Sequence, residues 1–225
     1  PHTALVKTYN SDAQVADSAG TASAMNTGVK TRIGVINFAD DQHADYCTRF
    51  DKLPRTIAEI AKGQGMAVGV VTTTRITHAT PAAVYGHVPN RNWEGADSAY
   101  PAEARKSGCP DLASQLVSFA PGGGLDLALG GGRARFLPLA KGGLRDDGKD
   151  LVAAWQQRFA AGHYVTDAKG FRTLDPAGKG PVLGLFANDH MSFEQDRKAE
   201  REPSLAEMAK FAVARMQASG RKGYY

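Results

Sequence analysis

Apolar residues fall in short continuous runs that alternate with segments at helical spacing. Thr3 to Tyr9 is apolar, β-branched and aromatic, and predicts a strand. Ser18 to Met25 is small and alanine-rich, which suits a helix. Arg32 to Phe38 is a short strand candidate. Thr56 to Lys62 carries apolar residues at helical spacing and is ended by Gly63 and Gly65. Met66 to Thr72 is an unbroken apolar run, as in a strand covered on both faces. Pro81 suits the first turn of a helix reaching about Tyr85. Further on, Asp111 to Phe119 and Leu151 to Phe159 predict helices, and Leu125 to Leu129 and Val182 to Phe186 predict strands. Ser204 to Met216 predicts an amphipathic helix behind Pro203, and Tyr224-Tyr225 opens another apolar stretch.

Strands that alternate with helices predict an α/β fold, with a mostly parallel sheet and helices on both faces. Ligands in such folds gather at the carboxyl ends of strands. Three segments fall there: Asp17-Ser18, Thr73 to Thr80, and Gly130 to Gly132. There is no internal repeat. Ala120 to Gly124 and Ala140 to Gly148 read as surface loops.

Composition narrows the classes. Of 225 residues, 42% are hydrophobic and 22% charged, which supports a sizeable core and argues against disorder. No run of eighteen apolar residues exists, so no transmembrane segment is expected. The chain begins with Pro1 and shows no signal peptide, so it is read as processed or trimmed. Its 27 basic and 23 acidic residues are interleaved. That pattern gives no stripe for nucleic acid but tolerates a small anionic substrate. Cys47 and Cys109 lack metal or redox spacing and sit in polar, loop-like sequence. They fit either a disulfide of an oxidising compartment or two unrelated thiols. A bridge would close 62 residues (109 − 47), worth about 4 kcal/mol on the chain-entropy account.

The candidate chemistry starts at Asp17-Ser18, where the first strand would turn into a helix. Asp17 or Ser18 could serve only as the helix cap. Alternatively, Ser18 is a nucleophile at a positively polarised helix start. Arg91, beside Trp93, could be a surface cation on an aromatic ring or a fork for an oxyanion. Thr80, before Pro81, could be a simple cap. No Gly-x-Ser-x-Gly elbow surrounds Ser18. Gly130 to Gly132 lacks a following Gly-Lys-Ser/Thr, so it predicts close backbone packing and not a P-loop.

Taken in order, several segments resemble the alkaline phosphatases. Val15 to Ala22 (VADSAGTA) is similar to that family's nucleophile signature, Gly69 to Ala82 to its magnesium-proximal strand and turn, and His87 to Trp93 to its phosphate-arginine segment. Leu129 to Arg133, Gly184 to Phe186, His190 to Glu194 and Pro203 to Met208 extend the likeness over essentially the whole chain. The resemblance implies a three-layer α/β sandwich with a large, mostly parallel central sheet flanked by helices. Residues 1–225 would form one part of that domain. Segments carrying most metal ligands would lie upstream of Pro1 and beyond Tyr225.

The resemblance implies hydrolysis of phosphate monoesters, releasing inorganic phosphate, with Ser18 as the zinc-bound nucleophile of a phosphoserine intermediate. Arg91 would grip the phosphate and Asp17 would orient Arg91. Thr80 would bind magnesium, with His78 in its outer shell. Two zinc ions and one magnesium ion are implied. So are a Cys47–Cys109 disulfide, a homodimer and a periplasmic or secreted location. His87 would belong to the scaffold under Arg91, whereas His190 receives no role. With Ala187 at a carboxylate position, and Glu202 alone elsewhere, no calcium site is expected. The rival readings are a phosphodiesterase or sulfatase of the same superfamily, and a catalytically inert phosphate-binding fragment.

Overall fold

A computed structural model describes residues 3–39, 53–98 and 100–225. Four segments form strands: β1 (Gly69–Arg75), β2 (Leu127–Gly131), β3 (His163–Val165) and β4 (Val182–Leu185). They form one sheet, ordered β1-β2-β4-β3, and every pairing is parallel. Parallel neighbours need long crossovers, and helices supply them. The helices are α1 (Ser18–Thr27), α2 (Ile57–Gly63), α3 (Ala79–Ala82), α4 (Ala102–Lys106), α5 (Leu112–Ser118), α6 (Leu151–Arg158), α7 (Ala168–Arg172) and α8 (Leu205–Ala218).

Side chains of successive strand residues point to opposite faces, so each strand feeds two cores. Leu127, Leu129 and Val182 pack with Phe171 of α7 and Met208, Phe211 and Met216 of α8. Ala128, Leu183 and Leu185 face the other way, into a core built from α1 to α6. Leu127, Leu129, Leu183 and Leu185 are fully buried, each worth roughly 1.5–3 kcal/mol relative to exposure. The expected layering, helices on both faces of a parallel sheet, is thus observed. No helix of the described residues is long and apolar enough to cross a membrane.

Helix starts follow capping chemistry. Asp17, Asp111, Asp150 and Asp167 each accept a backbone N–H of the first turn. Thr56 with Glu59, and Ser204 with Glu207, form reciprocal capping boxes on α2 and α8. Glu207 also accepts from Arg172 at 2.9 Å. That bond first, then those from Ser204, pull its pKa from 4.5 to about 2. A lowered carboxylate pKa stabilises the fold above the unfolded value, and the benefit fades as pH falls through the folded one. Glu207→Gln should therefore cost about 1 kcal/mol or less near neutrality. The gap to wild type should close as pH approaches 2. Urea midpoints measured across that range test this; a gap that persists at the acid end contradicts it.

Several expectations are corrected. Thr3 to Tyr9 pairs with none of the four strands, and Leu5 and Val6 stand exposed. Among the described residues, the Arg32 to Phe38 segment forms no strand and bridges as an isolated antiparallel pair, Ile36 with Val88. Gly34 and Asn37 take positive φ there, which breaks an extended run. Asn37 also bonds outside any ladder: its N–H donates to Ser23 Oγ, and its side chain to the Ala83 and Gly86 carbonyls. β1 starts three residues later than its apolar run and continues through polar Thr72 to Arg75. The helix at Pro81 is a single turn whose N-cap position is His78, not Thr80, and no side chain caps it.

The 140–148 loop is not simply surface, because Arg145 within it is almost fully buried. β3, α4 and α7 are short elements that the periodicity did not predict. Beside β1, Tyr225 donates to the Ala67 carbonyl and accepts from Gly69 N–H. Cys109 is buried, while Cys47 lies outside the described residues.

Candidate active site

Small residues set the first part of the site. Ser18 is the first residue of α1, behind its cap Asp17. Ala19 and Gly20 are buried there. A Cβ on Gly20 would come within 2.2 Å of Asn10 Oδ1, so only glycine lets Asn10 reach in. Asn10 Nδ2 then donates to Asp17 Oδ1 at 3.1 Å, which also accepts Gly20 N–H at 2.9 Å. The second oxygen, Oδ2, accepts Gly34 N–H at 3.0 Å and Arg91 Nη1 at 3.1 Å. Burial pushes the Asp17 pKa up, but the bonds from Gly20, Asn10, Arg91 and Gly34 outweigh it and hold the carboxyl below its usual range. Asp17 is therefore both the helix cap and the partner of Arg91.

Arg91 is placed by its backbone, whose N–H donates to the Gly34 carbonyl at 2.7 Å, next to the Ile36–Val88 bridge. Its Nη2 lies 3.2 Å from His78 Nε2. A guanidinium only donates, so Nε2 accepts and the His78 proton sits on Nδ1. That Nδ1 is buried and has no hydrogen-bond partner. Burial first, then the charge of Arg91, lower the His78 pKa, which agrees with a neutral ring. His87 is buried, with Nε2 2.9 Å from the Pro54 carbonyl. It belongs to the support beneath this segment and does not bond to Arg91 itself.

The carboxyl ends of the strands add a second constellation that sequence reasoning missed. Arg75, the last residue of β1, donates through Nε and Nη2 to both oxygens of Glu94, at 2.8 and 2.7 Å. Its Nη1 reaches Asp189 at 2.6 Å, and its backbone N–H donates to His190 Nδ1 at 3.0 Å. His190 Nε2 lies 2.8 Å from Arg75 Nη1, and a neutral ring can accept at only one of these nitrogens. The His190 ring meets His78 edge-on, with centroids 5.2 Å apart. Glu94 is buried and also accepts from Thr77 Oγ1 at 2.7 Å. Burial alone would raise its pKa, but the Arg75 and Thr77 bonds bring it down, so it stays ionised.

The carboxyl-end rule could have found this group. Arg75 closes β1, and Asp189-His190 follow β4 within a few residues. The triple glycine does what its sequence predicts. A Cβ on Gly131 would lie 2.2 Å from the Asp189 carbonyl, and Gly132 donates to that carbonyl at φ +91°.

The fold thus gathers Asp17, Arg91 and His78 in one bonded group, with Ser18 adjoining Asp17. Thr80 is exposed on α3 and lines a separate cleft with the edge of β1 and Tyr225. Among the described residues, no three His, Cys, Asp or Glu side chains come together to hold a metal ion. A zinc site wants about four ligands and a magnesium site about six oxygens. This donor set therefore fits either metal only as part of a larger one.

Comparison with known proteins identifies the family. The family model for alkaline phosphatase matches residues 1–225. The tissue-nonspecific alkaline phosphatase of Gallus gallus is 41% identical over 236 residues, covering 98% of this chain and 45% of that protein. The Homo sapiens isozyme is 38% identical, covering 95% and 43%. Among solved structures, Thermus thermophilus alkaline phosphatase superposes with a TM-score of 0.72 at 32% identity, covering 98% of this chain and 39% of that one. The chain therefore spans about half the length, or less, of the relatives it matches. On the match along its whole length, the chain belongs to the alkaline phosphatase family.

Proposed function

We propose that this chain carries the nucleophile and the phosphate grip of a phosphate monoesterase acting through a phosphoserine. The observation that supports it most is the Asp17–Arg91 pair beside Ser18 at the start of a ten-residue helix. The first-turn N–H groups and the helix dipole favour negative charge at Ser18 Oγ. Ser18 Oγ forms the new bond to phosphorus as the substrate alcohol leaves. Water then cleaves that ester, restoring the serine and releasing inorganic phosphate. Asp17 uses one oxygen to fix the Arg91 fork, whose other donors remain for two non-bridging oxygens. Neutral His78 borders Arg91 without adding charge.

Two zinc ions and one magnesium ion belong to this reading. A solved variant of TAB5 alkaline phosphatase, 26% identical with a TM-score of 0.70, is described with Mg bound in its M3 site. Ser18 and Thr80 are the oxygen donors this chain would offer, and the buried, unpartnered His78 Nδ1–H would serve magnesium from its outer shell, through a water bound with the metal. Bound metal would supply Lewis-acid polarisation and a more acidic hydroxyl. A Cys47–Cys109 disulfide, a homodimer and a periplasmic or secreted location complete the proposal.

Metal content and hydrolysis of an aryl phosphate and a bis-aryl phosphate, compared for this chain and for one extended at both ends, test it. The extended chain should retain zinc and prefer the monoester. Preference for the diester would favour the phosphodiesterase reading. Arg91→Lys, made in the active extended chain, should weaken inorganic phosphate inhibition by about 10- to 100-fold, because the planar fork is lost. Unchanged inhibition would remove Arg91 from the phosphate site.

A further inference from the structure

At the opposite end of the sheet lies a second cavity of about 470 Å³. Ala67, Asp126 and Pro181, just ahead of β1, β2 and β4, line it. It therefore opens at the amino ends of the strands, whereas Arg75 and His190 mark the carboxyl ends. Its size is within the range of small-molecule sites.

Its charge is unbalanced. Lys62, Lys179, Arg215 and Arg221 line it against a single acid, Asp126. That acid is already engaged, because it accepts Lys62 Nζ at 2.7 Å and Val68 N–H at 2.8 Å. Arg221 reaches its other oxygen only at 3.7 Å. Arg215 is the sharper anomaly. It is 6% exposed, and its guanidinium donates to two backbone carbonyls, Asp175 at 2.9 Å and Gly180 at 2.6 Å. Among the described residues, no carboxylate forms a direct ion pair with it, and the Asp175 side-chain charge acts on it only without a bond. Buried cations are ordinarily matched by an anion, since carbonyl dipoles only partly offset the lost hydration. Two glycine-bearing turns, residues 122–124 and 178–180, form the adjoining wall. A Cβ on Gly178 would lie 2.8 Å from Arg215 Nη1, so the bare backbone lets this cation sit against the turn.

We propose that this cavity binds a small phosphate-class oxyanion, held by Arg215 from within and by Lys179 and Arg221 at the rim. This site is separate from the one at Ser18 and stands whether or not that reading does.

The test is a titration of the 225-residue chain carrying Arg91→Ala with inorganic phosphate at constant ionic strength. Backbone amide signals of residues 122–124 and 178–180 are followed by NMR. They should shift saturably. Lys179→Ala with Arg221→Ala, two exposed positions, should weaken the binding by about tenfold or more. Arg215→Gln should abolish it, and the rim pair carries the test if that variant does not fold. The proposal is overturned if those amides stay fixed, or if the rim variant binds phosphate as tightly as its parent.

Discussion

Ser18→Ala in the active, extended enzyme is expected to lower turnover of an aryl phosphate by at least roughly 10³-fold, as removal of a covalent nucleophile does. The reason is local. The substitution leaves the helix start intact, because the cap bonds belong to Asp17: Gly20 N–H at 2.9 Å and the Thr21 hydroxyl to the Asp17 carbonyl at 2.8 Å. Folding and phosphate affinity should therefore survive while the proposed attacking atom is gone. Rapid acid quench with radiolabelled substrate separates the outcomes. Wild type should trap label on Ser18 and the variant should trap none. Label on another side chain in wild type, or near-normal turnover in the variant, would sink the assignment.

Arg145→Met should produce the largest loss of stability, about 3–5 kcal/mol. Arg145 is 1% exposed and sits between two carboxylates. It donates to Asp111 at 3.1 Å through each terminal nitrogen, and to Asp147 at 3.1 and 2.7 Å. Asp111 in turn caps α5, accepting Ser114 N–H. Removing the guanidinium strands a buried carboxylate that must remain where the helix begins. Burial works against the charge on Asp147, yet the Arg145 bonds hold its pKa below the usual range. A fall in melting temperature on the order of 10 °C is expected. The exposed Lys106–Glu103 pair is the control, and Lys106→Ala should change stability by less than about 0.5 kcal/mol. Equal effects at the two sites would contradict the argument.

These two sites differ in how readable they were. Ser18 and Asp17 stand in a contiguous signature, so a local reading reached them, and the cap geometry agrees. Arg91 was legible through its segment, and its bond to Asp17 matches the expectation drawn from the resemblance. Long apolar runs such as Val182 to Phe186 marked strands because burial on both faces leaves no polar alternation. Arg145 was not legible. Its segment, rich in glycine and aspartate, has a surface composition, and only the fold brings Asp111 to it from 34 positions away. Arg75, Glu94 and His190 share that difficulty, since their bonds join residues 19 and 115 positions apart. Thr3 to Tyr9 failed in the opposite sense. Its composition suits a strand, but strand formation needs a neighbour, and none of the four strands pairs with it.

The all-parallel strand order has a kinetic meaning. Among the described residues, no hairpin exists to nucleate this sheet. β3 and β4 meet after closing only 19 positions (163 to 182), whereas β1 and β2 must close 58 (69 to 127). The longer closure costs about 1 kcal/mol more in chain entropy before any contact repays it. The β3–β4 ladder is thus the cheapest place to begin. β1, whose end carries Arg75, joins through the costlier closure, so the carboxyl end of the sheet around Arg75 is expected to assemble after that first ladder.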